Sequence, residues 1–295
     1  FQQIDRSRER ASFQLFTPKN TVRWDVPVGP KPPSGEGQNP MNGVIFDYFI
    51  SDVLADSIEV TLEIFNEDGS IIRTYSNQKE ASFKSWPGGP QPEPLLTHRK
   101  GINRFAWDMR HESLPPVDGV FVLGDYRGSM VPPGTYKAVL HVAGEQQEVS
   151  FDLLPHPHIE GSSDDFQAQY ELMMDASEAV EDIHNQVNRM RKASEQLSMY
   201  EQLLSNQEGL DDLLDMAKNL KTRLSDWERT LIQPDQETFQ DVINFPNQLN
   251  AEFMNLKQRV DSADPKVTEG AKKRLKDLQT LWNMHKKTLD ELINE

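Results

Sequence analysis

The sequence contains no cysteine among its 295 residues. That absence excludes disulfides, thiolate metal sites and a cysteine nucleophile together. No run approaches the roughly 18 uncharged apolar residues that a membrane-spanning helix needs, so no membrane span is expected. Positive charge is scarce: 31 Lys and Arg stand against 47 Asp and Glu, for a formal net charge of -16. Polyphosphates and anionic lipid surfaces would both repel such a chain, which argues against a nucleic-acid partner and against docking on a membrane. A Gly-rich phosphate loop and a Gly-x-Ser-x-Gly elbow are also missing. What remains is 36% hydrophobic residues, enough to build a core and too apolar for wholesale disorder. The start at Phe1 is polar and charged, shows no signal peptide, and leads us to expect a piece of a longer protein.

Helix breakers are missing from one half of the chain. Residues 1–160 hold 16 of the 19 prolines and 13 of the 16 glycines, whereas the remainder holds only Pro234, Pro246 and Pro265 with Gly161, Gly209 and Gly270. Both halves are acidic, so the change is one of backbone punctuation and not of charge. It falls near Pro155-His156-Pro157-His158-Ile159-Glu160-Gly161.

The first half reads as strands. Residues 44–50 form a short apolar run, and residues 58–65 alternate with period two before the turn Asn66-Glu67-Asp68-Gly69 returns the chain through 70–75. Residues 101–108 make a further unit, and 134–142 with 147–153 make a second hairpin around Ala143-Gly144-Glu145. About seven such strands predict an immunoglobulin-like β-sandwich. The stretches 27–41 and 84–98, rich in proline and glycine, read as ordered loops. The second half reads as helices. Phe166, Tyr170, Met173, Ser177, Val180, His184 and Val187 recur at steps of three and four, after N-cap candidates in Ser162-Ser163-Asp164-Asp165. Leu213 to Leu231, Leu249 to Val260 and Ala271 to Leu292 carry similar one-sided stripes. An antiparallel helical bundle follows, so the fold class is β then all-α.

Several words in the chain resemble a known module. Gly101-Ile102-Asn103-Arg104-Phe105-Ala106-Trp107-Asp108-Met109-Arg110, followed by Val131-Pro132-Pro133-Gly134-Thr135-Tyr136, resembles the signature after the β-propeller in large bacterial proteins of the BNR-repeat, sortilin-like group often labelled glycosyl hydrolase. Leu15-Phe16-Thr17-Pro18 is similar to that family's Leu-Phe-x-Pro segment, and Asn39-Pro40-Met41-Asn42-Gly43 to its Asn-Pro-Pro-x-Gly segment, with Met41 in place of the second proline. Pro246-Asn247-Gln248-Leu249-Asn250 and Val260-Asp261-Ser262-Ala263-Asp264 resemble its closing helices, and residues 1–7 the last propeller strand. The resemblance implies three parts: a propeller-exit segment and linker over 1–40, the sandwich over 41–160 and the bundle over 161–295. It also implies an exported bacterial protein, and it puts any family activity in the propeller rather than here.

Candidate chemistry is sparse. Trp107 and Asp108 place an aromatic beside a carboxylate, as a sugar site would, but a strand-end Trp filling the core and an Asp accepting backbone hydrogen bonds from the next loop is the plainer reading. Asp108, Glu112, Asp118 and Asp125 share one long connection, yet nothing in their spacing selects a pair about 5–10 Å apart for glycoside hydrolysis. His156 and His158 flank a proline without an evident third ligand, so a stiffened joint is favoured over a metal site. His184 and His285 fall on apolar helix faces, and Arg99, Arg104 and Arg110 read as solvated surface. Trp86 and Tyr126 lie in glycine-rich loops, either pinned against the sandwich or offered to a ligand, and are the candidate binding residues. No catalytic residue, metal or cofactor is assigned. The expected role is a non-catalytic interaction or scaffolding module whose partner is a protein or its own propeller. Part of a glycoside hydrolase, or a carbohydrate-binding module, is the alternative.

Overall fold

A computed structural model describes residues 11–25, 35, 41–205, 207 and 209–294. The readings placed on residues 1–7 and 39–40, and most of the loop 27–41, lie outside the described residues. Among the described residues, eight strands precede four α-helices. They are β1 (Phe13–Leu15), β2 (Thr21–Val22), β3 (Val44–Ile50), β4 (Val60–Phe65), β5 (Ile71–Ser76), β6 (Gly101–Trp107), β7 (Gly134–Val142) and β8 (Glu145–Leu154), then α1 (Ser163–Leu204), α2 (Asp211–Leu231), α3 (Leu249–Val260) and α4 (Glu269–Ile293). No described helix is long and apolar enough to cross a membrane.

The strands form two sheets, one ordered β1-β3-β6 and the other β2-β8-β7-β4-β5. All pairings are antiparallel except β2 with β8. Period-two alternation explains the shared interior: β3 and β4 bury every second residue, so Val44, Phe46, Tyr48 and Ile50 meet Val60, Leu62 and Ile64 in one apolar core. Trp107 closes that core, its ring edge-on to Tyr136 and Phe151 at 5.9 and 6.1 Å. Both hairpin turns run through left-handed residues, Gly69 in one and Ala143-Gly144 in the other. β1 and β2 lie within the stretch read as propeller exit and linker, yet they pair with β3 and β8, so the sheets begin before residue 41.

Two of the four α-helices, α1 and α4, start at a side-chain cap. Ser162 and Asp165 form a reciprocal capping box at the head of α1, and Thr268 caps α4 by accepting from the Ala271 amide. α1 touches α2, α3 and α4. The helical core is not made by residues 161–295 alone, because Leu114, Val117, Val120, Val122 and Tyr126 from the β6–β7 connection are packed into it. That connection, residues 108–133, is a strap laid over α1 and α3. Apolar residues at 114, 117, 120 and 122 carry neither a clear helical nor a clear strand period, so the strap left no signal in the sequence.

Candidate functional site

The site with most of the buried polar chemistry is the seam between the strap and the helices. Met109, in the left-handed region at φ 62°, ends β6, and Arg110 then pairs with Met130 through an isolated bridge. Gly128 lies across from the turn, where a Cβ would come within 2.2 Å of the His111 carbonyl oxygen, so only glycine fits. This geometry buries the Arg110 side chain to 2% exposure. Its guanidinium donates to Asp25 Oδ2 at 2.9 Å, to Asp261 Oδ2 after α3 and to the Gly128 carbonyl at 3.1 Å. Trp107 Nε1 donates to the Arg110 carbonyl at 2.9 Å, joining the sheet core to the seam. The reading of Arg110 as solvated surface is therefore overturned. Arg104, with its guanidinium exposed, makes the surface pair instead, meeting Asp47 in a two-pronged contact at 2.7 and 2.9 Å across β3 and β6.

Two further buried cations extend the seam. Arg23 donates to the Val131 carbonyl at 2.7 Å and to Gln169 Oε1 at 3.0 Å, while Gln169 Nε2 donates to the carbonyls of Val260 and Ser262 at the end of α3. Burial lowers the Arg23 guanidinium to about 10, against the pull of Asp261. Lys257 Nζ donates to the carbonyls of Asp125 and Arg127 in the strap, and burial pushes its ammonium down to about 8. His184 is held on both sides: Nδ1 donates to the Pro115 carbonyl at 2.6 Å, which leaves Nε2 to accept from Asn250 Nδ2 at 3.0 Å. Burial takes this ring down to about 4, so it is neutral at pH 7. Each of these groups ties a backbone carbonyl or carboxylate of one chain segment to another.

A cleft of about 510 Å³ opens beside the seam, with His111, Glu112, Ser113, Ser177, Glu178 and Glu181 on its walls. His111 Nε2 meets the Tyr170 hydroxyl at 2.8 Å, and burial together with Arg73 lowers the ring to about 4. Ser113 Oγ donates to Glu93 at 2.8 Å, and the hydroxyls of Ser129 and Ser177 pair at 3.0 Å. These serines are bonded to groups other than a histidine, and the hydroxyl that meets His111 is that of Tyr170. Among the described residues no group of three or more His, Asp or Glu is arranged to hold a metal ion.

The residues singled out from the sequence are dispersed. Trp107 is fully buried in the sheet core. Asp108 is half-exposed and accepts from Arg73 Nη1 at 3.2 Å, so its partner is a guanidinium from β5 rather than the backbone of the next loop. Tyr126 is buried against α1 near His184, its hydroxyl without a partner, and offers no face to a ligand. Trp86 is partly buried and pinned by its Nε1 to the Val120 carbonyl at 2.9 Å, with the Gly89 backbone against its ring. Trp86 thus holds the strap, and Tyr126 is the strap residue packed against α1. Asp118 faces Lys84, and Asp125 is gripped by Arg127, so the strap carboxylates go to separate places. The His156 ring packs on Trp24 at 4.4 Å.

At the seam, Arg23, Asp25, Gln169 and Lys257 were not singled out, and Asp261 stood only within the word Val260-Asp261-Ser262-Ala263-Asp264. Two of them carried a signal. Lys257 falls one turn after Phe253, and Gln169 three residues after Phe166, each a polar side chain on an apolar stripe. In comparisons with known proteins, no protein-family profile matches the chain and no curated protein is similar to it.

Proposed function

We propose that this chain is a non-catalytic interaction or scaffolding module, in which an immunoglobulin-like sandwich and an antiparallel helical bundle act as one rigid body. The observation that carries the reading is the engagement of Arg110. The residue that closes the most recognisable sequence word is bonded to Asp25, Gly128 and Asp261, which come from the N-terminal segment, the strap and the end of α3. A buried guanidinium with carboxylate partners on two other segments fixes orientation more than it adds stability. The resemblance of residues 101–110 and 131–136 supports a place after a β-propeller in an exported bacterial protein, with the propeller or a separate protein as partner. The absence of cysteine makes the test direct. Spin labels on Thr74→Cys in β5 and Lys287→Cys in α4 should give one narrow distance distribution, broadened by Arg110→Ala. A broad distribution in the otherwise unaltered chain would remove the reading.

The glycoside-hydrolase alternative has one observation in its favour, the cleft with Glu112, Glu178 and Glu181 on its walls. Hydrolysis of an aryl glycoside that survives purification and disappears in Glu112→Gln/Glu178→Gln would establish it. The carbohydrate-binding alternative is not favoured by Tyr126, which is buried, and rests on the partly exposed Trp86.

A further inference from the structure

The buried residues of α1 end at Met190, and those of α2 begin at Leu224. Beyond those points the two helices pack on each other, and Arg191 alone reaches back, donating to the Asp118 carbonyl of the strap at 3.0 Å. Leu197, Leu204, Leu214, Ala217 and Leu220 are half-buried along their contact. The hairpin also carries apolar residues that the contact does not use: Met199, Tyr200, Leu203, Leu213 and Met216 are between 50% and 70% exposed. At about 100° per residue, Met199, Tyr200 and Leu203 lie to one side of the α1 contact stripe, and Leu213 and Met216 to one side of the α2 stripe. Because the chain reverses direction between the helices, these two sides are the same face of the hairpin. One apolar surface therefore spans both helices, where scattered exposed residues would need no explanation.

The charge nearest these five apolar residues is acidic, and the cations on the same face, Lys192 and Arg223, stand two turns away from Met199 and Met216. From Glu195 to Met216 the sequence has six carboxylates, Glu195, Glu201, Glu208, Asp211, Asp212 and Asp215, and no Lys, Arg or His. Two are matched from further along α2, Glu201 by Lys221 at 2.9 Å and Asp215 by Lys218 at 3.3 Å. Glu195 is one turn from Met199 and Asp212 one turn from Met216, so acid borders the apolar face on both helices. An anionic lipid surface is disfavoured by that border. Two of the five apolar side chains are methionines, which adapt to a partner's shape. Resting on the module reading above, we propose that this face of the α1–α2 hairpin binds a basic, amphipathic helical segment of a protein partner. The partner's apolar stripe lies across Met199, Leu203 and Met216, and its flanking Lys or Arg meet Glu195 and Asp212.

The test uses a designed Leu/Lys amphipathic helical peptide carrying a fluorophore, with a Leu/Glu peptide of the same pattern as its control. Fluorescence anisotropy should show saturable binding of the Leu/Lys peptide only, weakening with added salt. Leu203→Ser/Met216→Ser should weaken it by about tenfold or more. Phe239→Ser/Ile243→Ser, which alters exposed apolar residues elsewhere, should leave it unchanged. Glu195→Gln/Asp212→Asn keeps the apolar face and should flatten the salt dependence, which guards against a hairpin that merely unfolds. Equal affinity in all these variants would reduce the binding to bulk charge and overturn the proposal. So would self-association, or capture by phosphatidylserine vesicles, that the Leu203→Ser/Met216→Ser change abolishes. Failed peptide binding with the narrow spin-label distance intact counts against this partner alone, whereas a broad distance counts against the module.

Discussion

The two ends of the α1–α2 hairpin have similar sequence patterns and different fates. At the base, residues 163–190 of α1 and 224–231 of α2 are packed against α3, α4 and the strap, and they supply all the buried residues of both helices. At the tip, residues 192–204 and 211–223 keep the same mixture of leucine, methionine and charge, but no side chain there is buried. A two-helix contact covers one stripe and leaves the rest of the apolar surface in water. The difference shows that an amphipathic stripe states a need for cover, and the number of neighbours decides whether the need is met. It also divides labour: the base holds the molecule in one shape and the tip presents a surface.

The comparison is broken most severely at Arg110. Arg110→Ala leaves Asp25 and Asp261 without their guanidinium and should lower stability by about 3–5 kcal/mol, measured by urea unfolding. A loss below about 1 kcal/mol would mean that water replaces the seam freely.

Acid is the next lever. His184 is neutral in the folded protein down to about pH 4, whereas in the unfolded chain it titrates near its ordinary value of 6.5. The unfolded state therefore takes the proton first, and stability present above pH 6.5 is lost as the pH falls toward 4, by on the order of 3 kcal/mol for this ring. His111 adds a smaller contribution of the same sign, since its ring is lowered to about 4 but is less enclosed. Unfolding free energies across this range should fall in wild type, and His184→Asn should flatten the slope. A flat wild-type profile would place water beside the ring.

Tyr126→Phe tests the strap from the opposite direction. Removing a buried hydroxyl without a partner should leave stability unchanged or raise it by about 1 kcal/mol, and a loss would reveal an unrecognised hydrogen bond. The smallest effect belongs to the tip. Met216→Ala and Leu213→Ala should each change stability by no more than about 0.5 kcal/mol, and amide exchange should be fast in 191–223 and slow in 163–190. Protection of the tip equal to the base would erase the distinction.

The partner at Arg110 illustrates what was readable in advance and what was not. Asp47 and Arg104 face each other because strand register puts them there, and a pair of alternating strands implies contacts of this kind. Arg110 stands only six residues further along, and its carboxylates are 85 and 151 residues away in sequence. Nothing local distinguishes a guanidinium that will be solvated from one that will be enclosed. Tyr126 and Trp86 follow the same rule: glycine-rich surroundings mark a loop, but whether the loop is laid over a helix depends on what the helix left uncovered.

By itself the sequence determined the order of strands then helices, six of the eight strands, a set of cap candidates before α1, both hairpin turns and the exclusion of thiol chemistry. These follow from periodicities of 2 and 3.6 and from backbone preferences, which act over a few residues. The tertiary structure alone decided that residues 108–133 become a strap completing the helical core, that Arg23, Arg110 and Lys257 are buried cations, and that the hairpin tip keeps an apolar face in water. Burial is a property of the neighbours that a segment meets, and those neighbours come from distant parts of the chain.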